Sequence, residues 1–132
     1  MAQAATPFTI SAAPGRVRVL FEGHEVADSA RTLVLHEAGA DPVYYFPRED
    51  VQMSVLKRND HGSTNDKGAA AWFTIMRDAR IVEDVAWSYV RGRGEAELIE
   101  GYIAFMPQHV DFEADAVAEP VRHVSPMDPP YA

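Results

Sequence analysis

The chain has 132 residues, 47% apolar and 24% charged, which is the composition of one globular domain and not of a disordered polymer. With 20 acidic side chains against 12 basic ones the formal charge is −8, which disfavours nucleic-acid binding because that rests on Lys and Arg neutralising phosphates. The absence of cysteine excludes disulfides, thiolate zinc sites, iron–sulfur clusters and cysteine nucleophiles.

Residues 1–15 carry no charged side chain and read as an N-terminal arm. They lack the basic head of a secretion signal, and no apolar run approaches the roughly 20 residues that span a membrane, so a cytoplasmic protein with no membrane partner is expected. Residues 16–22 alternate, with Val17, Val19 and Phe21 on one face and Arg16 and Arg18 on the other, the pattern of a half-buried strand. A hairpin turn is expected over 22–25, where Gly23 can take positive φ. Residues 31–37 set Leu33 and Leu35 against Thr32 and His36 as a second strand. After a loop at 38–42 comes a short aromatic strand at 43–46.

Pro47 followed by Glu49 and Asp50 suits the first turn of a helix, so a short turn or 3₁₀ piece is expected at 47–50. Residues 53–58 read as a strand. The eight residues 59–66, Asn-Asp-His-Gly-Ser-Thr-Asn-Asp, are all turn formers and give the strongest loop signal in the chain. Residues 69–77 are apolar on both faces and predict a central strand, followed by another at 81–89. Residues 91–94, Arg-Gly-Arg-Gly, read as a mobile basic loop and 95–100 as one helical turn. Strands at 102–106 and 110–113 close the sheet.

The expectation is therefore a mainly β, single-domain fold over 16–118, an antiparallel barrel or a tent-like bent sheet with one or two short helical turns. Residues 119–132 read as a Pro-rich extended tail. The charge divides evenly: residues 16–106 hold 11 basic and 15 acidic side chains, a balance of −4, and residues 107–132 hold five acids and one base, also −4.

Few residues carry a chemical signature. Residues 91–94 contain Gly-x-Gly without a third glycine or a βαβ setting, so they are not a dinucleotide fingerprint. Two-metal nucleotidyl transfer needs carboxylates that share an ion, and no Asp-x-Asp strand is present. No two histidines fall at i, i+2 or i, i+4, so neither a metal nor a cofactor is expected. Alternation over 81–89 puts Glu83 among Val85, Trp87 and Tyr89, where aromatic neighbours could tune a carboxyl group for acid–base work. Lys67, beside the polar loop that holds His61, could anchor an anion, or act as base or nucleophile if desolvated.

Four segments resemble the family catalogued as domain of unknown function 427: Tyr45-Phe-Pro-Arg-Glu-Asp-Val51, Lys67-Gly68 opening a strand, Glu83-Asp-Val-Ala-Trp-Ser-Tyr89, and Gly101-Tyr-Ile-Ala-Phe105 before Val110-Asp111. The resemblance runs from Arg16 to about Glu113. It implies a compact, tent- or barrel-like β fold and no established activity, although the family sometimes carries a nucleotidyltransferase label. Family members often place Cys-Pro and an aromatic before the Lys-Gly; here Thr64-Asn-Asp66 stands instead, about one residue shorter, and Val90 replaces a common proline.

The leading functional expectation is a small-ligand-binding β-domain, or an enzyme acting on a small anionic metabolite by acid–base chemistry at a barrel mouth. Tyr45, Trp87 and Tyr89 would wall the pocket, with Arg48 and His61 also contacting the ligand. Arg48 or Lys67 would hold the anion; Glu83, Lys67 and Asp50 are the candidate catalytic residues. The alternative is a protein-interaction or structural module, monomer or homodimer, using the acidic tail. A third reading makes Tyr45, Trp87, Tyr89 and Phe105 simply core.

Overall fold

The computed structural model describes residues 7–115; the tail over 119–132 and the first six residues of the arm lie outside the described residues. In chain order the strands are β1 (Phe8–Ala12), β2 (Val17–Phe21), β3 (His24–Ser29), β4 (Leu33–Glu37), β5 (Val43–Tyr45), β6 (Leu56–Asn65), β7 (Gly68–Arg77), β8 (Arg80–Gly92), β9 (Ala104–Phe105) and β10 (Asp111–Ala114). Three short 3₁₀ turns occupy Arg48–Asp50, Met53–Val55 and Gly94–Ile99. The strands form three antiparallel sheets in the orders β1-β4-β5, β10-β2-β3 and β6-β7-β8-β9. Isolated bridges Ala27 to Val51 and Phe46 to Ile103 tie them together. The fold is thus mainly β and antiparallel with a few helical turns, and its described residues do not close into a barrel. Among the described residues no helix is long and apolar enough to cross a membrane.

Strands β7 and β8 form the middle of the structure, and β7 is buried on both faces, as its double-sided apolar pattern predicts. One face of this pair, with Phe73, Ile75, Val85 and Ala86, packs on Val17, Val19, Phe21 and Val26 of β2 and β3. The other, with Ala70 and Tyr89, packs on Leu35, Tyr45 and the Gly94–Ile99 turn, with Trp87 against its edge. The alternation read in β2 is therefore the alternation observed, with Val17, Val19 and Phe21 inward.

Four expectations are corrected. Part of the arm is strand β1, whose residues pair with β4 from Phe8 opposite Glu37 to Ala12 opposite Leu33. Residues 53–55 form a 3₁₀ turn, and the strand begins only at Leu56. The expected loop at 59–66 is mostly strand β6: the Ser63 hydroxyl accepts from the Trp72 indole at 3.0 Å and the Asn59 amide donates to Thr74 at 3.0 Å, so side chains that favour turns are held by β7. Their turn tendency survives as a bulge, where the step from Arg58 to Gly62 faces only that from Phe73 to Ala71. Residues 91 and 92 continue β8 and are not a mobile loop; Gly92 lies so close to the Ala96 carbonyl that a Cβ has no room.

Candidate functional site

Lys67 sits in the turn between β6 and β7, tightened by its backbone N–H donating to the Asn65 side-chain carbonyl at 2.8 Å. Its ammonium donates to Glu37 at 3.0 Å, approaches Asp66 at 3.5 Å and lies 5.4 Å from the centre of the Phe8 ring. Only 10% of the Lys67 side chain and 22% of the Glu37 side chain are exposed, so the pair is largely withdrawn from water. Burial alone would lower the lysine's pKa, but the Glu37 hydrogen bond and charge, helped by Asp66 and Tyr89, outweigh it and raise it. Lys67 is therefore a fixed cation with its anion already in place.

The Asn65 amide also donates to the Tyr89 hydroxyl at 3.0 Å. Tyr89 stacks on Tyr45 with ring centres 6.4 Å apart, and Trp87 meets Tyr45 edge-on at 6.2 Å. Four of the expected site residues, Tyr45, Lys67, Trp87 and Tyr89, thus converge on one face of β7–β8. Burial, with Tyr89 beside it, pushes the Tyr45 phenol far above its ordinary value; a Trp87 hydrogen bond only partly offsets this, and the Glu37 charge adds to it.

Both shifts have the same sign for stability. A folded-state pKa above the unfolded one leaves its stabilisation complete below the unfolded value and lost above it, because the unfolded chain releases its proton first. Thermal melts are expected to be level to about pH 9 and to fall steeply beyond about pH 10, with Tyr45→Phe reducing the fall. A flat profile through about pH 11 would contradict these environments.

The other expected residues do not join this group. Arg48 donates to the Gly101 carbonyl at 3.0 Å and lies over Phe73, on the opposite face of the central pair. It lines an open cleft of about 240 Å³ with Arg31, Glu49, Glu100 and Tyr102. Asp50 accepts from the Ser29 hydroxyl at 2.7 Å and from Arg31 at 3.2 Å, clamping the first 3₁₀ turn to β3. Glu83 is exposed, not set among Val85 and Trp87. The cause is a bulge: Phe73 pairs with Ala86 but Ile75 with Val82, so the period-2 reading fails across residues 83–85. The neighbouring Asp84, at φ 57°, takes the structured position, accepting from Asn59 at 3.0 Å and contacting the His61 ring at 3.1 Å. His61 itself stacks on Trp72 at 4.9 Å.

Sequence reasoning missed Glu37, which only the pairing of β1 with β4 brings into a buried setting. It also missed a cavity of about 190 Å³ between β5, β8, β9 and β10, lined by Asp41, Pro42, Val43, Tyr44, Trp87, Phe105, Pro107 and Phe112. Tyr44 and Phe112 form adjoining walls with ring centres 5.7 Å apart. Trp87 forms another, its indole held from behind by Tyr45 and by Trp72 at 5.5 Å. The sequence signal was present in part, since Tyr44 is the outward neighbour of Tyr45 in an aromatic strand.

No match to the chain was found among curated proteins. The model of one family matches residues 9–116, covering every strand but the first residue of β1. With Lys67-Gly68 at the hairpin and Trp87 to Tyr89 in the central strand, the chain belongs to the family described as domain of unknown function (DUF427).

Proposed function

We propose that this domain binds a small organic molecule in the aromatic cavity beside Trp87. The observation that carries the reading is the concave meeting of four aromatic side chains, Tyr44, Trp87, Phe105 and Phe112, around a space of about 190 Å³. Ligand sites are concave and mostly apolar with a few polar groups, and this volume lies below the roughly 300 Å³ at which drug-sized pockets begin, so the ligand is small. Binding is favoured over acid–base catalysis because Glu83 is exposed and Lys67 is neutralised by Glu37. In this reading Trp87 walls the site and Tyr45 packs edge-on against it.

The test is an amide and indole NMR titration of the full chain with fragments of up to about ten heavy atoms, a size suited to the cavity. Binders are expected to move the Trp87 indole and the Val43, Tyr44 and Phe112 amides. Phe112→Ala, at a half-buried edge position, should weaken them about tenfold, the loss of one aromatic contact. Shifts that map to the Arg48 cleft, or silence at the cavity resonances across the library, would overturn the assignment.

A further inference from the structure

We propose that the ligand of this cavity is a small organic cation, an amine or quaternary ammonium. The inference rests on the cavity reading and adds its chemical class. Aromatic faces carry negative electrostatic potential, and Trp, Tyr and Phe attract a cation placed over them, Trp most strongly. All three ring types are present in the lining, as Trp87, Tyr44, Phe105 and Phe112. The remaining walls, Pro42, Val43 and Pro107, are apolar and return no hydrogen bond from their side chains, which suits a methylated ammonium head better than a hydrogen-bonding one.

Charge points the same way. Asp41 is the one lining residue with a formal charge, and it is negative. It stands at the exposed rim, on the loop that enters β5, and it has no ion-pair partner among the described residues. Residues 16–106 carry 15 acids against 11 bases, so the surrounding field also favours a cation. An anion entering the same cavity would give up its hydration for aromatic faces and a carboxylate, both repulsive. The cations that would suit an anion are engaged elsewhere: Lys67 with Glu37 and Asp66, Arg48 with the Gly101 carbonyl in a cleft that also holds Glu49 and Glu100.

The experiment compares choline with 3,3-dimethyl-1-butanol, its neutral carbon isostere, by NMR titration of the full chain, with Asp41→Asn as the variant. Asp41 is exposed and outside the strands, so the variant is expected to fold. Choline should move the Trp87 indole and the Tyr44 and Phe112 amides and bind about tenfold more tightly than the isostere; Asp41→Asn should weaken choline about threefold or more and leave the isostere unchanged. Equal or tighter binding of the isostere would overturn the cation while leaving the cavity reading intact. Silence of both probes would also overturn it, and the fragment titration then decides the cavity reading separately. Loss of choline binding in Asp41→Asn together with equal loss of the isostere would show a reshaped pocket and count against the charge argument.

Discussion

Lys67→Ala is expected to destabilise the domain by about 3 kcal/mol and to lower its melting temperature by about 10 °C or more. Removing one member of a buried ion pair strands the other, and Glu37, with about a fifth of its side chain exposed, would be left with its charge poorly hydrated and opposite Phe8. The loss is therefore mainly the desolvation of Glu37, not the absence of an attraction. It follows that removing both charges should be far milder. Glu37→Leu combined with Lys67→Met keeps the volume and removes the stranded charge, and should recover most of the lost stability or exceed the parent. Thermal melts of the parent, both single variants and the double variant provide the cycle. A single variant within about 0.5 kcal/mol of the parent would show that water reaches the pair and that it is an ordinary surface bridge.

The next residue gives the second large effect. Gly68 has φ +142°, where L side chains rarely go, and a Cβ there would run into the Arg91 carbonyl and stand 3.1 Å from the Gly92 Cα. Neither obstacle can swing aside, because both are backbone of the paired strand β8. Gly68→Ala should therefore cost about 3 kcal/mol or more, combining strained backbone with overpacking, and most of the protein should be recovered insoluble. Gly39→Ala is the matched control: its φ is +81° but nothing lies within 4 Å of the added Cβ, so only conformational strain remains, about 1 kcal/mol. If the two variants melt together, the close approach of β7 to β8 at this point is not as described.

These two neighbours also mark how far the sequence could be read. Period-2 alternation exposed β2, which buries one face, and the two-sided apolar pattern exposed β7; in β4 the strand was legible but not its faces, since Thr32 and Val34 are as buried as Leu35. The 59–66 stretch was misread because turn propensity is a local quantity, whereas Ser63 and Asn59 take their conformation from Trp72 and Thr74 on the next strand. The arm was misread for a related reason. Of β1, only Phe8 and Ile10 are partly buried, too few to reveal a strand without β4 beside it.

The candidate site was legible to the same degree. Trp87 and Tyr89 lie two residues apart in one regular stretch of β8, so their common face was readable, and Tyr45 meets both. Glu83 stands four residues before Trp87, but with a bulge between them, and alternation says nothing across a bulge. Arg48 and Asp50 follow Tyr45 closely in the chain, yet the 3₁₀ turn carries them past the sheet to contacts with Phe73 and Ser29. Nearness in a motif is not nearness to a face.

The bulges have a consequence for how the chain assembles. Strand β7 opens Gly68-Ala-Ala-Ala71, small side chains that would fit a neighbouring strand almost equally well after a shift of two residues. Such a run invites misaligned pairing during folding, and misaligned sheets expose edges on which further chains can add. Strand β6 bulges on one side of β7 between Arg58 and Gly62, and β8 on the other between Val82 and Ala86. A slipped β7 would set these irregular segments against regular backbone and leave their polar groups unmet. The departures from regular pairing thus act as alignment pins, selecting a single assembly for a strand whose own side chains scarcely choose one.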